Sequence, residues 1–252
     1  MIPLKDNIPT NRFPFVTVGL ILANVVVYLL AIRHGGSFFG GPSGFEAVKY
    51  GAIPKALTHC LTENLVVQPQ TVVCTHGSPP GSLPTWATVF TAMFMHASFL
   101  HIAGNMLFLW IFGNNVEDAM GPIKYILFYL VGGIAALALQ TAVNPSDVAP
   151  TLGASGAIAA VLGGYIVLYP RARVLTLIFI ILFFTVIELP AIVLLGLWFL
   201  QQAVFGAAGL TSPSAGGGVA YFAHVGGFVF GLLAVRLLAT RRRQIPPPYP
   251  AY

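Results

Sequence analysis

Ser155, His224, His101 and Asn105 are the side chains of this sequence best placed for chemistry, because each stands in a run that is otherwise apolar. Polar groups in such surroundings are costly, and they are kept there for packing or for function. Ser155 lies in Gly153-Ala154-Ser155-Gly156, shortly after Pro150 and at the head of an apolar run that ends at Tyr169-Pro170. At a helix start the first backbone N–H groups lack intrahelical partners and carry partial positive charge. A serine there can attack a carbonyl carbon while those N–H groups hold the oxyanion that forms. Taken alone, Ser155 reads more simply as a helix cap or as a small residue at a close helix contact. Its companions change that reading.

His101 and Asn105 are four residues apart, which puts imidazole and amide on one helix face. His224, Gly227 and Gly231 share a face as well, and Gly227-Phe228-Val229-Phe230-Gly231 is a small-xxx-small contact pattern. Ser155, Ala159 and Gly163 make a matching stripe. Two helices with such stripes bring their backbones close together, within reach of a His224–Ser155 hydrogen bond. His101 with Asn105 could equally be interhelical glue, and a lone membrane histidine is more often a packing or proton-relay residue than a base. Depth links them: His101, Ser155 and His224 each fall within about the first turn of their helix, so three helices running the same way place them at one level. His224 is then the general base and later the general acid, with Asn105, His101 and the Ser155 N–H at the oxyanion. Glu117, Asp118 and Glu188 fall at the opposite membrane face and Asp147 in a loop, so the expectation is a dyad with His224 oriented by packing rather than by a carboxylate.

The elements that must carry these residues are membrane helices. Of 252 residues 57% are hydrophobic and only 8% are charged, and the mean hydropathy is +0.84, which excludes a soluble globular domain. Apolar runs recur at the ~20 residues needed to cross a ~30 Å hydrocarbon core. The net charge of +5 does not point to nucleic acid, because the basic residues sit at helix ends and in one terminal cluster. The fold class expected is all-α, a polytopic bundle of six transmembrane helices. They are placed at 15–32, 98–115, 122–143, 153–169, 190–210 and 221–239. A long outer connection occupies 33–96, and a Pro-rich tail expected to be disordered occupies 244–252. The whole chain, 1–252, reads as one membrane-embedded domain with its helical core at about 15–240. No repeat suggests a transporter's inverted halves.

At these residues the chain resembles the rhomboid family of intramembrane serine proteases. The matching pieces are Phe94-Met95-His96, His101-x-x-x-Asn105, Phe112-Gly113-x-x-Val116-Glu117, Gly153-Ala154-Ser155-Gly156 and Ala223-His224-x-x-Gly227-x-x-x-Gly231, in family order. The resemblance implies cleavage of transmembrane protein substrates within the lipid membrane, without cofactor or metal, and Ser155 and His224 as catalytic residues. It also implies His101 and Asn105 at the oxyanion, and substrate entry between the second and fifth helices. Two positions depart from the pattern. Ala159 stands where many members have an aromatic ring that stacks on the base, and Trp86 is not followed by arginine. A non-catalytic relative that binds membrane clients would lack the serine or the histidine, and both are present. A zinc protease would need an H-E-x-x-H helix and an aspartyl protease two embedded aspartates, and neither is present.

The run Val174 to Ile187 is ambiguous. Fourteen residues at ~1.5 Å each reach about 21 Å, too short to span, so it is expected at the inner interface. Six crossings then put Lys5, Arg12, Lys124, Arg171, Arg173, Arg236 and Arg241 to Arg243 on one side, with both termini in the cytoplasm of a bacterial plasma membrane. Cys60 and Cys74, both on the other side, are expected to form a disulfide.

Overall fold

The computed structural model describes residues 1–59, 64–68, 71–75, 83–180, 183–211 and 219–240. In chain order the helices are α1 (Phe15–Ala31), α2 (Gly44–Tyr50), α3 (Pro54–His59), α4 (Thr85–Thr91), α5 (Phe99–Phe108), α6 (Asn114–Met120), α7 (Pro122–Val143), α8 (Ser155–Leu168), α9 (Ala191–Thr211) and α10 (Tyr221–Leu238). A π-helical turn, Leu109–Gly113, joins α5 to α6 without a break. The strands are β1 (Ile2–Asp6), β2 (Asn64–Gln68), β3 (Thr71–Thr75), β4 (Arg173–Ile180) and β5 (Phe183–Pro190). By length and composition α7, α9 and α10 can cross a membrane, and α1 and α8 are shorter apolar helices. The expected six crossings exceed the three helices that meet that measure.

Local chemistry sets where the helices begin. Ser98, with extended backbone, caps α5 by accepting the His101 N–H at 3.2 Å. Gly121, at φ 81°, makes the turn between α6 and α7, and Pro122 follows at the first position of α7, where no N–H is needed. No side chain of its own first turn caps α1, and the Glu117 carboxylate does so instead. It accepts from Val16 N–H at 3.0 Å, Thr17 N–H at 2.8 Å and the Thr17 hydroxyl at 2.7 Å.

These contacts fix directions. The start of α1 lies beside α6, and its far end reaches back to the start of α5 through Tyr28, whose hydroxyl donates to Phe38 O, and through the Phe38–Phe99 ring pair. Past the end of α10, Thr240 N–H donates to Ala119 O at 3.1 Å, and Lys124 Nζ reaches Leu238 O at 3.4 Å. The continuous α5–α6 helix and α10 therefore run one way with α8, whose Gly156 and Ala160 face Gly227 and Gly231 in turn. Helices α1 and α7 run the other way with α9, whose Ala191 N–H donates to Ala172 O at 2.7 Å just past the end of α8.

Helices α8 and α10 meet backbone to backbone. A Cβ on Gly227 would overlap the Gly156 carbonyl oxygen, and one on Gly231 the Ala160 carbonyl oxygen. The small-residue stripes thus produce the contact their spacing implied.

Two expectations need correction. The fold is mostly helical but not all-α, because Val174 to Ile187 lies in a β-hairpin and not in a helix. Strand β4 pairs antiparallel with β5, and on its other edge with β1, Asp6 standing opposite Val174 and Ile2 opposite Leu177. The start of β4 alternates as a half-buried strand should, with Val174 and Thr176 buried and Arg173 exposed, whereas most of β5 is exposed and Phe179, Phe183 and Phe184 project outward.

The connection 33–96 is also structured where it is described. Ser43 caps α2 by accepting the Glu46 N–H. Reciprocal bonds between Ala52 and Thr151, together with Gly153 N–H to Ala92 O at 2.9 Å, tie this connection to the segment that leads into Ser155. Cys60, the side chain of Cys74 and the Pro-rich tail lie outside the described residues.

Candidate active site

The first turn of α8 presents Ser155, and its approach is made by Gly153. That glycine has φ 125°, a conformation L side chains rarely adopt, and a Cβ there would stand 2.8 Å from the His101 ring. Glycine is therefore required twice over, by backbone angle and by the imidazole against it. The next residue, Ala154, donates its N–H to His96 Nε2 at 3.5 Å, and His96 Nδ1 lies 3.3 Å from Phe94 O. His96 is buried, and its ring meets that of His101 edge-on at 5.1 Å. It supports the turn before the serine, a position the sequence marked in Phe94-Met95-His96 without a role.

From the other side α10 brings His224 in its first turn. The close α8–α10 contact places His224 Nε2 2.7 Å from Ser155 Oγ, hydrogen-bonding distance for a nucleophile and its base. Gln140 on α7 accepts the Ala223 N–H at 3.2 Å, a donor shared with Ala220 O at 3.1 Å, and so ties the start of α10 to α7.

His224 is not held by packing alone, as the sequence suggested. Its Nδ1 lies 2.7 Å from Oε1 of Gln202, a buried residue of α9, and the Trp198 ring lies 5.7 Å from the imidazole at 39°. Ala159, where a stacking ring was missing from the pattern, is buried against Gly227. Gln202 is legible only as one of two adjacent glutamines, Gln201 and Gln202, within an otherwise apolar helix.

Ser155, His224, His101, Asn105, Gly153 and Gln202 all line one cavity of about 1300 Å³. Asn105 is buried, and its side-chain nitrogen has no hydrogen-bond partner. A buried donor left unpaired is costly unless a ligand oxygen completes it. The four residues singled out by type and spacing are thus brought to one cavity. Glu117 and Asp118 are not among them: Glu117 caps α1, and Asp118 accepts from Asn11 N–H at 3.1 Å.

The Rhomboid domain family matches residues 84–241. Among curated proteins, Rhomboid protein 1, mitochondrial, of Saccharomyces cerevisiae is 31% identical over 152 residues, 58% of this chain and 40% of that protein. The presenilin-associated rhomboid-like protein, mitochondrial, of Mus musculus is 31% identical over 130 residues, 51% of this chain and 34% of that one. RHOMBOID-like protein 1 of Arabidopsis thaliana is 26% identical over 189 residues, 67% of this chain and 46% of that one. The chain spans less than half the length of each of these relatives. The yeast and mouse proteins are named as mitochondrial, so the expected bacterial plasma membrane finds no support in them. The apolar helices and the family match make this an integral membrane protein. With more than half of its 252 residues matched, the chain belongs to the rhomboid family.

Proposed function

We propose that the chain is an intramembrane serine endopeptidase, cleaving peptide bonds in or near the transmembrane segments of membrane proteins. The observation that carries this reading is the 2.7 Å approach of Ser155 Oγ to His224 Nε2 at the wall of the cavity. In the proposed cycle His224 takes the Ser155 hydroxyl proton as Oγ bonds to the scissile carbonyl carbon. The Asn105 amide, His101 and the Ser155 backbone N–H stabilise the oxyanion. His224 then gives its proton to the departing amine, and water, deprotonated by the same histidine, releases the acyl group from the serine. The cycle needs only side chains and water.

The test is cleavage of a labelled model transmembrane substrate by purified protein in detergent. Ser155→Ala and His224→Ala are each expected to reduce turnover to background while the helical circular dichroism is unchanged, because nucleophile and base act as a unit. Turnover by Ser155→Ala at the wild-type rate would exclude the mechanism. A wild type that binds the substrate without cutting it would favour a non-catalytic client binder.

The proposed topology is a single domain of six crossings with both termini on one side. Support comes from the alternating helix directions and from Asp6 and Thr240, which both lie at the Glu117 end of the bundle. Basic residues Lys5, Arg12, Lys124, Arg171, Arg173 and Arg236 belong to that end, which the positive-inside tendency keeps on the side of insertion. The exposed Phe179, Phe183 and Phe184 of the hairpin would rest there in the lipid interface. A reporter fused after Tyr252 that matures only on the insertion side should be active, and a folded but silent fusion would reject the topology.

A further inference from the structure

Helix α9 turns one face, with a single amide on it, toward α10. Trp198, Gln202 and Gly206 are spaced by four residues and share a face. Trp198 covers His224 and also touches Phe228, Phe199 stacks on Phe228 at 4.6 Å, and Gly206 lets the ring of Phe222 approach. In the middle of this seam Gln202 is 7% exposed. A buried amide within an apolar helix is unfavourable unless it is hydrogen-bonded, and its Oε1 meets His224 Nδ1 at 2.7 Å.

We propose that Gln202 is a positioning residue that selects the tautomer and ring orientation of His224. This rests on the protease reading above. An amide oxygen can only accept, so the proton of the neutral imidazole sits on Nδ1 and is donated to Gln202 Oε1. Nε2 is then left with its lone pair facing Ser155, the state required to receive the hydroxyl proton. The opposite tautomer would carry a hydrogen on Nε2 and could not act as the base. When Nε2 takes the serine proton, the imidazolium still donates from Nδ1 to the same oxygen, so the bond serves both protonation states. Among the described residues no carboxylate hydrogen-bonds to His224, so Gln202 occupies, with a neutral group, the place of a triad acid. With Ala159 buried against Gly227, the ring contact on the base also comes from α9, through Trp198.

The experiment compares full-length wild type, Gln202→Leu and Gln202→Glu, with Ser155→Ala as the inactive control. It uses substrate cleavage across pH and the ¹⁵N shifts of ¹⁵N-histidine-labelled protein, with the His224 signals assigned from His224→Ala. Wild type should show a protonated Nδ1 and an unprotonated Nε2. Gln202→Leu should lose that preference and reduce kcat on the order of 10²-fold with KM little changed, as expected for a displaced catalytic group. Gln202→Glu should recover most of kcat, with the acidic limb of its rate profile moved to higher pH, because a carboxylate favours the imidazolium. A Gln202→Leu protein with the wild-type tautomer and kcat would overturn the proposal. If that variant does not fold, Gln202→Glu decides alone, and an unmoved acidic limb overturns it. If wild type cleaves nothing, the protease reading fails, while the tautomer of wild type against Gln202→Glu still tests whether Gln202 sets the imidazole.

Discussion

At the end of the bundle where α1 begins, buried carboxylates are taken up by neighbouring donors. Both oxygens of Glu117 are filled by donors from α1, Asp6 Oδ2 takes a hydrogen bond from Asn115 Nδ2 at 2.6 Å and one from the Tyr165 hydroxyl at 2.5 Å, and Asp118 receives Asn11. At the end where α8 begins, no acidic residue reaches the dyad among the described residues, and the polar groups face a cavity. Asn105 holds a donor with no partner there, and His224 and Ser155 face each other across its wall. Burial alone does not separate the two ends, since Glu117 and Asn105 are both buried. What separates them is what the polar side chains do: at one end carboxylates take up donors and hold helices together, although Asn115 Oδ1 there has no partner, and at the other the polar residues line a cavity. Asp6, Glu117 and Asp118 are structural, and the proposed chemistry is left to neutral groups.

The largest test of that contrast is Glu117→Ala. It removes the acceptor of three donors, two of them backbone N–H groups at the start of α1, and leaves Thr17 buried without it. The expected loss is on the order of 3–5 kcal/mol, read as a sharply lowered melting temperature in detergent. Protein that remains folded should cleave at the wild-type rate. A folded variant that is inactive would mean the two ends are not separable.

The reverse pattern is expected of Asn105→Ala. Loss of one oxyanion donor costs roughly 10²–10³ in kcat, and because that donor has no partner in the folded chain, thermal stability should be unchanged or slightly raised. A large fall in melting temperature with little change in kcat would make Asn105 interhelical glue.

The contrast also explains what could be read before folding. Ser155, His101, Asn105 and His224 stood out because polar residues are rare in apolar runs, and the Gly227/Gly231 stripe carried its own contact geometry within a few residues. The π turn at Leu109–Gly113 had no such signal, and α5–α6 continues past the expected end at Asn115. Ser43-Gly44-Phe45-Glu46 carries the capping-box pattern at the start of α2, inside a region whose Gly and Pro content reads as connection. The hairpin at 173–190 was obscure for a different reason. Its edge partner β1 lies some 170 residues earlier, in the short stretch before α1, and no Gly, Asn or Pro stands between β4 and β5 in the sequence. Gln202 was visible as an oddity, but its role depends on the rotation of α9, which sequence does not state.

The smallest effect, and the one that tests the structural end on its own terms, is the charge of Asp6. Burial raises its carboxyl from 3.8 to about 6, against the opposing hydrogen bond from Tyr165. The folded chain therefore binds this proton more tightly than the unfolded chain does. As pH rises from about 4 to 6 the unfolded chain releases the proton first, so this group's contribution to stability falls through that window and stays low above it. At 1.36 kcal/mol per pKa unit the span is on the order of 3 kcal/mol. Asp6→Asn keeps an oxygen able to accept from Asn115 and Tyr165 but cannot ionise. Unfolding followed at several pH values should show the variant gaining on wild type between pH 4 and 6 and keeping that advantage at pH 8. A constant difference between the two proteins would mean that Asp6 is not paying for its burial, and that the Asp6–Asn115–Tyr165 cluster tolerates the charge.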